Sequence, residues 1–182
     1  MVYVFLADGF EEIEALTVVD ILRRAQIETE TVAISDCTSC RYITGAHNIT
    51  VKTDITADET DYQNADAVVL PGGLPGTTNL KNSDTVTKAL DFAYNNHKII
   101  AAICAAPSIF ADLGYLNNKR ATANPDFMDK LDDAIKCEDR VVCDGNIVTS
   151  RAAGTAAEFA LKLVELLKDK NTADKLKAGM LY

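Results

Sequence analysis

The chain has 182 residues, 48 % apolar and 25 % charged, an ordinary globular composition with enough length for one domain over 1–182. Its formal net charge of −9, with basic residues scattered apart from Arg23-Arg24, argues against a nucleic-acid partner, because neutralising phosphates takes clustered Lys and Arg. The longest apolar run, 99–106, falls far short of the roughly 18 residues of a membrane helix, so no membrane role is expected.

The first residues, Met-Val-Tyr-Val-Phe-Leu-Ala-Asp, lack a basic leader and turn acidic at once. They read as a strand over 2–7 and not as a signal peptide, which suits a cytoplasmic protein. A helix follows over 11–26, with apolar residues at 13, 16, 18, 19, 21 and 22, then a strand over 29–34. The β-rich stretch 41–52 turns at Gly45 and reads as a hairpin. A strand over 67–70 runs into the turn Leu70-Pro-Gly-Gly73, and Ser83 caps a helix reaching Asn95. An apolar strand over 99–103 stops at Cys104. Two short strands, 141–143 and 147–149, flank Asp144-Gly145, a dipeptide suited to a two-residue hairpin turn. The last long pattern is a helix over 155–168. Strands without strict alternation, separated by helices, describe a mostly parallel sheet covered on both faces. The fold expected is a flavodoxin-like three-layer α/β/α sandwich with no internal repeat or linker.

Ala15, Val18, Val19 and Leu22 leave the helix over 11–26 little polar surface. Two readings stand: burial beneath the hairpin, or a self-complementary face that makes a homodimer. The five cysteines are expected as free thiols and not as a disulfide framework. Cys37 and Cys40 form a C-x-x-C, but a thioredoxin-like pair opens a helix and this one leads into a hairpin. Cys137 and Cys143 make a poor second half for a zinc site, so no metal is expected. His47, in the hairpin, is read as an ordinary loop residue.

Cys104 has the most informative setting. A thiol at the end of an apolar strand, followed at once by small residues that start a helix, sits on a nucleophile elbow. Backbone N–H groups of Gly72, Gly73 and Ala105 are placed to form an oxyanion hole, with an acid from Glu11, Glu12 or Glu14 beside them. Burial raises a carboxyl's pKa, so the acid stays protonated and donates to sulfur, while backbone donors lower the thiol's pKa. No G-x-G-x-x-G or Gly-Lys-Ser/Thr pattern is present, so a nucleotide is not expected.

The segments Ala7-Asp-Gly-Phe-Glu-Glu-Ile-Glu14, Val69-Leu-Pro-Gly-Gly73, Ala101-Ala-Ile-Cys-Ala-Ala-Pro107 and Thr149-Ser-Arg151 together resemble the ThiJ/PfpI superfamily. The branch is that of the Parkinson-associated protein deglycase and YajL-like proteins, related in fold to class I glutamine amidotransferases. The resemblance covers almost the whole chain. It implies a homodimer with Cys104 as nucleophile and Glu14 as its protonated partner, and it makes Asn124, Ser150 and Arg151 candidates for the pocket. Three departures stand out. Ala105 occupies the position where the protease-like branch has His, Asn124-Pro125 replaces His-Pro, and Ala152-Ala153 replaces Gly-Pro. His97 opens the strand that Cys104 closes, about 23 Å away at strand rise, so an intracellular cysteine peptidase is disfavoured.

The function implied is a cofactor-independent glyoxalase or deglycase acting on methylglyoxal, glyoxal or their adducts in stress protection. The alternative is a non-enzymatic oxidative-stress sensor or redox-regulated chaperone that works through oxidation of Cys104.

Overall fold

A computed structural model describes residues 1–37 and 39–182. The chain runs β1 (Val2–Ala7), α1 (Glu12–Arg24), β2 (Thr29–Ile34), β3 (Tyr42–Thr44), β4 (Thr50–Lys52), β5 (Ile55–Thr56) and β6 (Ala67–Leu70). It continues with α2 (Gly76–Lys81), α3 (Asp84–Asn95), β7 (Ile99–Ile103), α4 (Pro107–Asp112), β8 (Arg120–Ala121) and β9 (Ile135–Lys136). It ends with β10 (Val141–Asp144), β11 (Ile147–Ser150), α5 (Ala156–Leu167) and α6 (Lys170–Gly179).

Seven strands form the main sheet in the order β10-β11-β7-β6-β1-β2-β5, parallel except for β10. The alternation of strand side chains divides the core in two. Val2, Val4 and Leu6 of β1 face the layer of α1 and α5, whereas Tyr3, Phe5 and Ala7 face the layer of α3 and α4. Both faces are therefore covered, as an all-buried strand pattern requires. The flavodoxin-like sandwich is the observed fold. Because β1, β2, β6 and β7 run parallel, their carboxyl ends share one edge of the sheet.

Ser83 caps α3, its hydroxyl accepting the Val86 N–H at 3.4 Å. The hairpin β3–β4 pairs Tyr42 with Lys52 and Thr44 with Thr50, so its turn begins at Gly45. In the β10–β11 hairpin Asp144 pairs with Ile147, which puts the two-residue turn at Gly145-Asn146, one residue beyond the expected Asp144-Gly145. Gly145 adopts φ 63°, the left-handed backbone a first turn position takes at least cost in glycine.

Ala15, Val18, Val19 and Leu22 are buried within the chain, in the core layer that α1 shares with α5, the sheet and the hairpin residues Ile43 and Val51, so these four are not a face for a second copy. Ile13 and Leu16 stay exposed at 57 % and 38 %. The free-thiol expectation fails for Cys37 and Cys40, which form a disulfide. The local turn, in which the Cys40 N–H donates to the Cys37 carbonyl at 3.0 Å, brings their side chains together. Cys104, Cys137 and Cys143 are free. No helix among the described residues is long and apolar enough to cross a membrane.

Candidate active site

β7 ends at Ile103 and α4 begins at Pro107, so Cys104 occupies a three-residue turn between them. Its φ of 65° lies in the left-handed region, which for a residue with a β-carbon costs about 1–3 kcal/mol. The surrounding chain over-determines that conformation. The Cys104 N–H donates to the Ser150 carbonyl at 3.0 Å, and the Cys104 carbonyl accepts the Asn124 N–H at 2.9 Å. The expected elbow is present, and it leaves the thiol half-buried at the carboxyl edge of the sheet.

Glu14, in the first turn of α1, is 1 % exposed and lies against that sulfur. Its Oε2 accepts the Gly72 N–H at 2.8 Å. The N–H groups of Ala105 and Gly73 donate towards Sγ of Cys104. The oxyanion group expected from Gly72, Gly73 and Ala105 is thereby divided: Gly72 serves the acid, and the other two serve the sulfur. Glycine is required at both turn positions. A β-carbon on Gly72 would lie 2.6 Å from the Cys104 β-carbon, and one on Gly73, at φ +91°, would overlap the Glu11 amide.

Burial pushes the Glu14 carboxyl up to about 7, against the hydrogen bonds from Gly72 and Cys104 that favour its ionised form. That is the expected direction. The lowered thiol is not what an ionised Glu14 allows. Burial first, then the neighbouring carboxylate charge, push Cys104 up to about 12, and the Ala105 and Gly73 donors only partly offset them. The two groups therefore titrate as one pair whose first proton leaves near pH 7. The proton lost near pH 7 is that of Glu14 and the thiol keeps its own, so the carboxylate is placed to accept the thiol proton.

The three acids separate cleanly. Glu12, 5 % exposed, turns to the hairpin, where it accepts the His47 N–H at 2.8 Å and pairs with His47 Nδ1 at 2.8 Å. The Glu11 amide donates to the Gly72 carbonyl at 2.9 Å and braces the glycine turn. Potential ligand atoms of Glu11, Glu12 and His47 lie within 4.8 Å of one another, but the Glu12–His47 bond already satisfies them and nothing else there points to an ion. His47 is more than the plain loop residue expected: its ring fastens the hairpin to α1.

The three pocket candidates do not aim at the sulfur. Asn124 lends its backbone to Cys104, while its Oδ1 accepts the Asp126 N–H at 3.0 Å and caps a 3₁₀ turn over 125–130. Ser150 is fully buried, its hydroxyl donating to the Arg140 carbonyl at 2.7 Å and paired with Thr155 Oγ1 at 2.7 Å. Arg151 Nη1 donates to the Glu138 carbonyl at 3.0 Å. Their place in the sequence was informative, but their side chains hold neighbouring backbone. His97 lies at the opposite end of β7, away from Cys104.

The chain is similar to proteins of known family. A model of the DJ-1/PfpI family matches residues 1–166. Protein DJ-1 homolog B of Arabidopsis thaliana is 37 % identical over 161 residues, 88 % of this chain but only 36 % of that protein's length. The Thermococcus kodakarensis protein named deglycase TK1284 is 33 % identical, with 92 % of this chain and 99 % of that one covered. Among solved structures, oxidized Toxoplasma gondii DJ-1 superposes with a TM-score of 0.94 at 36 % identity, over 100 % of this chain and 97 % of that one. With the family model matching residues 1–166, the chain belongs to the DJ-1/PfpI family.

Proposed function

We propose that the chain is a cysteine-dependent enzyme of the glyoxalase or deglycase type. It takes small reactive dicarbonyls, or their adducts, in a cytoplasmic setting, without a metal or organic cofactor and without nucleic-acid or membrane partners. The observation that carries this reading is the Glu14 carboxyl against the Cys104 sulfur, with the Gly73 and Ala105 N–H groups converging on the same atom. The similarity to a protein named deglycase supports it.

For methylglyoxal, Cys104 sulfur adds to the aldehyde carbon, and the proton held by the pair passes to the former carbonyl oxygen, giving a hemithioacetal. The Gly73 and Ala105 donors stabilise that oxygen while it carries charge. Glu14, with a pKa near operating pH, removes the hydrogen from the first carbon and a proton returns at the second. The product is a thioester of lactate, which water hydrolyses to free lactate and Cys104. The sum is methylglyoxal plus water to lactate, with no external oxidant. A peptidase reading lacks support, because Ala105 follows the cysteine and His97 is remote.

The test is lactate formation from methylglyoxal with chelator present. Wild type is expected to turn over, and Cys104→Ser is expected to lose activity. Absence of turnover in wild type contradicts the reading. A second reading, oxidation of Cys104 as a stress signal, is favoured by the similarity to oxidized Toxoplasma gondii DJ-1 and by the neighbouring acid, a donor for a sulfinate oxygen. Its mark is a peroxide-induced mass gain of two oxygens on Cys104 in a protein without turnover. A homodimer through Ile13 and Leu16 of α1 is part of the proposal, since those apolar side chains are exposed.

A further inference from the structure

The Cys37–Cys40 disulfide lies in the connection from β2 to β3, and both residues are exposed together with Ser35, Asp36 and Ser39. The bond spans a sequence separation of three, within a turn already closed by the Cys40 N–H on the Cys37 carbonyl. A link that closes so short a loop removes little entropy from the unfolded chain, so it contributes little to holding the fold. Neither sulfur contributes to the core layers. An incoming thiolate has open access to both. These properties suit a couple that is made and broken on a standing fold.

The connection also sits in a consequential place. It leaves the carboxyl end of β2, on the same sheet edge as Cys104. Two residues after Cys40 the chain enters β3. There the Thr44 N–H donates to Asp8 Oδ1 at 2.8 Å, the Gly9 N–H donates to the Thr44 carbonyl at 2.8 Å, and His47 holds Glu12. The sulfur pair therefore tethers the segment that leads into the hairpin seated against α1.

We propose that Cys37 and Cys40 form a reversible dithiol–disulfide couple that exchanges with low-molecular-weight thiols and disulfides of the glutathione class, as a second redox site separate from Cys104. In the oxidising direction one thiolate attacks glutathione disulfide, forming a mixed disulfide and releasing one glutathione thiolate. The other cysteine then attacks the protein-side sulfur, closes the Cys37–Cys40 bond and releases the second glutathione. Two protein thiols lose two electrons and two protons, and one glutathione disulfide becomes two glutathiones. Reduction reverses the same steps.

The experiment equilibrates the full chain anaerobically across a range of glutathione to glutathione disulfide ratios, quenches with acid, alkylates with iodoacetamide and weighs the tryptic peptide 25–41. The peptide is expected to pass from two alkyl groups to none, with the loss of two hydrogens, and to follow the same curve in Cys104→Ala. Cys40→Ser is expected to stop as a single glutathione adduct on Cys37, because no second thiol can displace it. A pair that stays dithiol at every ratio overturns the proposal. So does a disulfide that resists excess dithiothreitol in the folded protein, which would make it structural, or a Cys40→Ser protein that takes up no glutathione. None of these outcomes depends on dicarbonyl turnover.

Discussion

Cys104 and Glu14 each occupy a state that would be unfavourable alone. The cysteine holds a left-handed backbone, and the glutamate buries a carboxyl. The same local geometry, in which Gly72 allows their close approach, makes the states compatible. A consequence follows for stability. Glu14 has a folded pKa of about 7, above the ordinary carboxyl value of 4.5, so its contribution is fully present below 4.5 and is lost as pH rises through 7. The loss amounts to about 3 kcal/mol across that window. Denaturant unfolding of wild type and Glu14→Gln at pH 4 and pH 8 should show their difference shifting by about that amount in favour of the variant at pH 8. An unchanged difference would mean that Glu14 does not titrate in this range. At this scale the sequence was partly legible. An apolar run that stops dead on Cys104 announces an elbow, whereas Glu11, Glu12 and Glu14 share one helical turn and only their side-chain directions separate them. Ser150 and Arg151 lie beside the site in the chain, yet their side chains bind backbone carbonyls of Arg140 and Glu138.

Among the elements, β1, β2, β6 and β7 match the expected spans residue for residue, because strand-length runs rich in apolar and β-branched residues mark them. The pieces that escaped are those whose existence depends on tertiary partners. β5, β8 and β9 have two residues each, and α2 has six. α6 carries one fully buried residue, Ala173, and so presents almost no apolar periodicity. α1 illustrates the opposite limit. Its apolar residues were visible, but which of them α5 covers was not. Leu22 is fully buried between those helices and the sheet, so Leu22→Ala should lower unfolding free energy by about 2–5 kcal/mol in denaturant titration. A cost below about 1 kcal/mol would show that this layer is loosely packed.

For the whole molecule, the sheet edge gathers the carboxyl ends of β1, β6 and β7, and the glycine turn, the acid and the elbow cysteine meet there. This is the general placement of ligand sites in open parallel sheets. Two of the exposed large apolar side chains, Ile13 and Leu16, lie near the start of α1. If this patch joins two copies, the double variant Ile13→Glu/Leu16→Glu should sediment as a monomer where wild type sediments as a dimer. A wild-type monomer, or a variant that remains dimeric, would remove α1 from the interface. The disulfide between Cys37 and Cys40 was not legible at any scale in the sequence, since spacing alone did not separate a bonded pair from loop thiols.

The account rests on Glu14 losing its proton near pH 7 and then accepting that of Cys104 as the sulfur attacks. The most direct measurement is the rate of Cys104 alkylation by iodoacetamide as a function of pH, read by mass spectrometry. The rate should reach half its maximum near pH 7, and that step should move in Glu14→Gln. A rate that stays low through neutrality and rises only in strong alkali, alike in both proteins, would show that Glu14 does not act on the thiol proton and contradict the account.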